Sequence, residues 1–185
     1  MPLELVFETH ATTEDNERGV ATGWRAGTLS AAGHEQARQL GRRRTNDGIE
    51  AIFTSDLSRA IETVRIAFPN LTVPMFMDWR LRECDYGEMT GIHPDLLERA
   101  GHSDVPYPAG ESWRQAVERV SWFVRDLRAR RDWSRVLVVG HVATWRGLDH
   151  SINGVPLEPL LAKPFEWQEG WEYRIDGGGG RPTRT

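Results

Sequence analysis

The sequence predicts an α/β protein, a three-layer α/β/α sandwich around a mostly parallel central sheet. Three observations predict it. The apolar runs Leu5-Val6-Phe7 and Val136-Leu137-Val138-Val139 are short and continuous, as in strands covered on both faces. Helical patterns follow them, so strands and helices alternate. Both runs lead into a histidine, His10 and His141, at the turn beyond a strand's carboxyl end where open α/β sheets hold their ligands. Two imidazoles delivered there from opposite ends of one chain predict a single reaction centre. Helix N-termini at such turns also offer free N–H groups to an anion.

The elements follow in order. Leu3 to Phe7 reads as a buried first strand, and a long polar loop with Asn16, Arg18, Gly23, Trp24 and Arg25 comes next. Ser30 caps a helix running to about Arg44, with Ala37 and Leu40 facing inward. Glu50 to Thr54 is a short second strand; Ser55 leads into a helix from about Leu57 to Ala67, stopped near Pro69. Leu71-Thr72-Val73 begins a weaker third strand before Pro74. Residues 79–111 show little periodicity and many glycines and prolines. They read as loops with a short helix near Pro94 to Ala100, a lid-like insertion over the site. Glu111 to Arg130 is the best helical pattern, with Val117, Val120, Val124 and Leu127 on one stripe. Val136 to Val139 reads as a central parallel strand, and a helix from about Ala143 to Ile152 follows. Gly170 to Ile175 alternates like an edge strand. The expected organisation is one domain over 1–176 and a flexible, glycine-rich tail over 177–185.

At 185 residues the chain suits one domain with a substantial core. No apolar run approaches the roughly 18 residues of a membrane span. Met1-Pro2-Leu3-Glu4 has neither a basic n-region nor a small-residue cleavage site, so a cytoplasmic protein without membrane partners is expected. Cys84 is the only cysteine, which excludes an intrachain disulfide and a Cys-based zinc cage. The net charge of −4 argues against nucleic-acid binding. The cations are arginines except Lys163; a GC-rich genome explains most of that bias, yet guanidinium also binds phosphate with paired hydrogen bonds. No Gly-x-Gly-x-x-Gly follows the first strand and no Walker sequence occurs, so dinucleotide and nucleoside-triphosphate readings lack support.

Several segments in order resemble one known family, the histidine phosphatase superfamily, also called phosphoglycerate mutase-like. His10 with Thr13, Glu14 and Asn16 resembles its Arg-His-Gly-x-Thr signature followed by Asn. Gly23-Trp24, then Leu29 to Ala37, resembles its second segment. Thr54-Ser55-Asp56-Leu57-Ser58-Arg59-Ala60 is close to its phosphate-clamp turn. Leu81-Arg82-Glu83 with Gly87 and Gly91, Gly110-Glu111-Ser112, and Gly140-His141 with Arg146 complete the series. The resemblance covers Leu3 to Ile152 and implies a phosphoglycerate mutase-like fold.

The resemblance also implies roles. His10 would be the nucleophile, forming a phosphohistidine that splits the displacement into two easier steps. Arg59 would grip the phosphoryl oxygens and His141 would donate to them. Glu83 would protonate the leaving alkoxide, then deprotonate the attacking water. Asn16 would add a neutral hydrogen bond. Neither a metal nor a cofactor is implied.

The chain departs from the family where arginine normally precedes the histidine: Thr9 stands there, with Glu8 before it, Ala11 after it, and Val142 after the second histidine. A missing charge-assisted hydrogen bond is worth roughly 1.5–3 kcal/mol, about tenfold to a hundredfold in rate. Arg18, Arg25, Arg82 or Arg146 could move in. If the first strand persists to His10, Glu8 shares its side and would orient the imidazole or meet a cationic group on the substrate. The expected substrate-binding residues are therefore Asn16, Glu8, Thr9, Trp24 and Arg82. Asp85 and Glu88 rival Glu83 for the acid; His34, His93, His102 and His150 read as solvent or packing residues.

The leading expectation is a metal-independent phosphatase acting on a small phosphorylated metabolite. The short chain favours hydrolase over mutase, since family mutases usually carry extra segments. An impaired member that binds a phosphorylated ligand or protein is the alternative, with Thr9 in its favour. A metal-dependent hydrolase lacks an acidic cluster or His-x-x-x-His spacing. A homodimer is left open.

Overall fold

Two strands at the middle of the sheet explain the rest of the architecture. The computed structural model describes residues 2–130 and 132–176; the predicted tail over 177–185 lies outside the described residues. β1 (Leu3–Thr9) pairs in parallel with β4 (Arg135–Gly140), and β4 pairs in parallel with β2 (Ala51–Thr54). β3 (Met75–Met77) extends the parallel array beyond β2, and β5 (Trp171–Ile175) runs antiparallel along β1. The order is β3-β2-β4-β1-β5.

Alternating side chains separate the two faces. Leu3, Leu5, Phe7, Phe53, Val136 and Val138 pack against α4 (Trp113–Ala129) and α5 (Val142–Asn153). Val6, Ile52, Leu137 and Val139 pack on the other face with Leu40, Ala60 and Val64 of α2 (Ala31–Arg44) and α3 (Ser58–Ala67). This is the predicted mostly parallel three-layer sandwich. Ser30 caps α2 through Gly33 N, and Ser112 forms a reciprocal box with Gln115 that starts α4.

The third strand lies later than expected. Pro74 has no N–H to give a ladder; its carbonyl accepts from Ile52 N at 2.9 Å, and β3 begins behind it. Two short helices were not anticipated: α1 (Glu14–Glu17), started by Thr13 and Asn16, and α6 (Leu157–Ala162), started by Pro156. Neither is long enough to show a period. Segment 79–111 holds single 3-10 turns at Trp79–Leu81, Gly87–Met89 and Pro94–Leu97. The last stops short of Ala100 because Glu98 turns left-handed, at φ 44°. Cys84, Tyr86, Leu97 and Tyr107 of this segment share a core with Trp113, Ala116 and Val117 of α4.

Candidate active site

Adjacent strands β2, β4 and β1 each hand one cationic or imidazole side chain to the same end of the sheet. His10 follows β1, and its N–H donates to Gly140 O at 2.9 Å. His141 is the N-cap of α5, and Arg59 lies in the first turn of α3. Local sequence sets these placements. A Cβ on Gly140 would lie 2.4 Å from Thr144 Oγ1. That hydroxyl accepts from His141 N at 2.9 Å and donates to Leu81 O at 2.7 Å. Thr63 Oγ1 accepts from Ala11 N at 3.0 Å and donates to Arg59 O at 2.7 Å, tying α3 to the turn after β1.

His10 is held in one tautomer. Its Nδ1 lies 2.7 Å from Ala11 O, and its Nε2 accepts from Arg59 Nε at 3.2 Å. Guanidinium only donates, so the proton sits on Nδ1 and the lone pair on Nε2. Burial, reinforced by the Arg59 charge, pushes the His10 pKa down to about 3. The imidazole is thus neutral at physiological pH, as a nucleophile requires.

Arg59 is 2% exposed. Its Nη1 and Nη2 donate to Arg25 O and Gly23 O at 3.1 and 2.8 Å. The His141 ring lies 4.9 Å from that of His10, centroid to centroid. Among the described residues both of its nitrogens are buried without a partner, and burial, then Arg59 and His10, hold its pKa well below the ordinary imidazole value. An unpartnered buried polar group costs roughly 1–3 kcal/mol; an oxyanion beside His10 would supply the missing acceptor.

His10, Arg59, Glu83 and Asn16 line one cavity of about 490 Å³, whereas His141, whose ring neighbours that of His10, is not among its lining residues. Glu83 Oε1 accepts from Cys84 N at 2.7 Å and Ala143 N at 3.2 Å. Asn16 Oδ1 accepts from Thr13 N and Oγ1, which leaves its Nδ2 donor for a ligand.

The other expected substrate-binding residues do not line this cavity. Glu8 is buried on the α2 face and paired with Arg43 and Arg44, at 3.2 and 2.9 Å. β1 ends at Thr9, so the alternation that would put Glu8 beside His10 stops one residue early. Thr9 pairs with Gly140 in the sheet. Arg82 is forked onto Asp56 at 2.7 and 2.5 Å and lies over the Trp24 ring. Trp24 Nε1 donates to Glu83 O at 2.6 Å. Of Arg18, Arg25, Arg82 and Arg146, the four arginines expected as candidates for the pocket, Arg18 pairs with Asp15, Arg25 is exposed, and only Arg146 lines the cavity.

Several lining residues escaped the sequence reading: Tyr86, Arg99, Lys163 and Phe165. The lone lysine was a compositional signal for Lys163; the others carry none. Arg146 is 2% exposed, with Nε on Leu160 O and a buried Nη1 that has no partner among the described residues. Among the described residues, no group of three or more His, Cys, Asp or Glu could hold a metal ion.

The model of the histidine phosphatase superfamily (branch 1) matches residues 5–181. The chain belongs to this family. A 2,3-bisphosphoglycerate-dependent phosphoglycerate mutase of Parvibaculum lavamentivorans is 32% identical over 197 residues, 97% of this chain and 94% of that protein. A Methylobacterium protein of the same name is 34% identical over 173 residues, 84% of this chain and 83% of that one. Among solved structures, Bacillus stearothermophilus YhfR superposes with a TM-score of 0.83 at 26% identity, covering 95% of this chain and 93% of that one. The alpha-ribazole phosphatase of Shigella flexneri gives 0.76 at 24% identity, over 95% and 87%, a likeness of fold. This histidine phosphatase is an enzyme of the phosphatase type. Its length does not separate hydrolase from mutase, because the Parvibaculum mutase is matched over nearly its whole length. No helix among the described residues is long and apolar enough to cross a membrane.

Proposed function

We propose that this protein hydrolyses a small phosphomonoester through a phosphohistidine at His10, without a metal. The observation that carries the reading is the His10 tautomer: the Nε2 lone pair faces Arg59 on the wall of a cavity that Glu83 also lines. In the first step Nε2 bonds to phosphorus as the ester P–O bond breaks. The leaving oxygen takes its electron pair and a proton from the Glu83 carboxyl. In the second step water attacks phosphorus, Glu83 takes the water's proton, and the P–N pair returns to Nε2. Arg59 and His141 hold the equatorial oxygens, and Asn16 Nδ2 adds a neutral donor. With Thr9 in the place of the family's arginine, Arg59 is the guanidinium that contacts His10.

The cavity beyond the reacting centre sets the substrate's charge. Arg99, Arg146 and Lys163 line it with Arg59, against the carboxylates of Glu83 and Asp95. A cationic substrate, which Glu8 would have favoured, finds among the lining residues only the half-buried carboxylate of Glu83 and the exposed one of Asp95. The reading is a phosphomonoester with a second negative group. A mutase reading is favoured by the names of the relatives. The test is a panel of phosphomonoesters of varied charge, incubated with wild type and His10→Ala and followed for free phosphate and for phosphoryl migration. Phosphate release by wild type alone, fastest for dianionic-plus-carboxylate substrates, is expected. Migration without release would establish a mutase; equal silence would establish a binding protein.

A further inference from the structure

One buried cation lies next to the site and takes no part in the chemistry above. Arg119, in the middle of α4, is 2% exposed. Each of its five N–H donors has an acceptor. Nη1 donates to Arg80 O and Arg82 O at 2.8 and 2.7 Å. Nη2 donates to Glu83 O at 2.8 Å and to Glu111 Oε1 at 2.5 Å, and Nε donates to Glu111 Oε2 at 3.1 Å. Glu111 closes the circuit, because its Oε1 also accepts from Asp85 N at 3.0 Å. The backbone of residues 80–85 therefore wraps around one bidentate ion pair, with Glu83 at its centre.

The Glu83 carbonyl is gripped twice, by Arg119 Nη2 and by Trp24 Nε1 at 2.6 Å. With its backbone fixed, the side chain reaches Cys84 N and Ala143 N through Oε1 alone. Among the described residues Oε2 accepts no bond, so it is the oxygen left to carry a proton in the cavity. A fixed carboxyl matters because proton transfer needs a heavy-atom separation within about 2.6–3.2 Å of the reacting oxygen. A planar fork with five directed donors can hold three carbonyls and a carboxylate together; an ammonium with three cannot.

We infer that Arg119, locked by Glu111 and assisted by Trp24, is a positioning residue that sets the Glu83 carboxyl for proton transfer. The inference rests on the phosphohistidine reading of this site. It separates two substrate classes. An alkyl phosphate needs a proton on its leaving oxygen; 2,4-dinitrophenyl phosphate leaves as a stable anion and needs none in the first step. A group that acts only through Glu83 must affect the first class and spare the phosphoryl transfer of the second.

The experiment compares wild type with Arg119→Lys, Glu111→Gln and Trp24→Phe. Rapid mixing gives the dinitrophenolate burst, and steady-state assays give kcat and KM for an alkyl phosphate; thermal unfolding is followed alongside. The expected result is a burst rate within about twofold of wild type and an alkyl phosphate kcat lower by about tenfold to a hundredfold, with KM little changed. That loss is part of the roughly 10²–10⁴ that a positioned acid–base group supplies. Trp24→Phe, in a half-buried loop, keeps the test open if the Arg119 variant does not fold. Equal losses in burst and alkyl turnover, or no loss in any folded variant, would overturn the inference. A wild type that gives no burst and no labelled His10 would overturn the phosphohistidine reading and the inference with it.

Discussion

Acid should destabilise this protein through His10, the imidazole proposed above to attack phosphorus. In the fold, burial and Arg59 push the His10 pKa from the ordinary 6.5 to about 3. Between those values the unfolded chain binds a proton that the folded chain does not. Protonation therefore favours unfolding: the His10 contribution is complete above about pH 6.5 and declines as pH falls toward 3. At pH 5 the difference is 1.5 units below the unfolded value, about 2 kcal/mol at 1.36 kcal/mol per unit. His141 is shifted in the same direction and, being retained in a His10→Ala variant, adds its own loss to both proteins. The assay is urea unfolding of wild type and His10→Ala at pH 8 and pH 5. With a slope of about 2 kcal/mol per M, wild type should lose about 1 M more in midpoint than His10→Ala over that interval. Removing His10 can itself change stability, and the difference between the two pH values cancels that change. Equal acid sensitivity of the two proteins would refute the argument, because it would mean that His10 takes up protons equally well folded and unfolded.

Two further outcomes follow from the packing. Glu8→Val should destabilise the protein by about 2 kcal/mol, below the roughly 3–5 of a broken, fully buried pair, because Arg43 keeps 23% of its side chain in solvent; kcat/KM ratios between cationic and anionic phosphoesters should not move, and a tenfold change in that ratio would return Glu8 to the cavity. Gly33→Ala should cost about 1–3 kcal/mol in thermal unfolding, since its Cβ would lie 2.0 Å from Thr12 O; an unchanged midpoint would show that α2 does not press on the turn after β1.

Local pattern made the sheet legible. The runs ending before His10 and His141 read as buried strands, and the Ser30 cap and the apolar stripe from Val117 to Leu127 placed two helices to within a residue or two. What a pattern of types cannot show is which partner a side chain chooses. Glu8 and Arg82 carry charges that looked available for substrate, yet Glu8 is taken by Arg43 and Arg44 and Arg82 by Asp56. Those arginines and that aspartate are 26 to 36 residues away in the sequence. Trp24 was expected against the substrate and instead holds Glu83 O. Arg119 was hidden for the opposite reason: a charged residue in an amphipathic helix reads as surface, and its burial depends on carbonyls from residues 80–83. The cavity wall from Leu161 to Phe165 was missed because α6 spans less than two turns.

The features that weaken this fold in acid also make its site reactive. A solvated imidazole near its ordinary pKa would spend part of its time protonated and unable to attack. Desolvation keeps Nε2 unprotonated, with its lone pair engaged only by Arg59 Nε, and Arg59 acts on the same balance by Coulomb repulsion of an imidazolium. The arrangement carries one guanidinium and two neutral rings within a small space, a charge too low for a phosphoryl dianion by itself. The incoming anion changes that balance, because a negative charge beside His141 favours its protonated form against the burial that disfavours it. In the proposed reaction the substrate thus completes the electrostatics of its own site, which reconciles a pocket of suppressed histidines with a transition state that needs donors on the phosphoryl oxygens. The positive charge beside His10 then comes from Arg59, with Arg99, Arg146 and Lys163 further along the cavity wall and whatever protonation the bound anion induces.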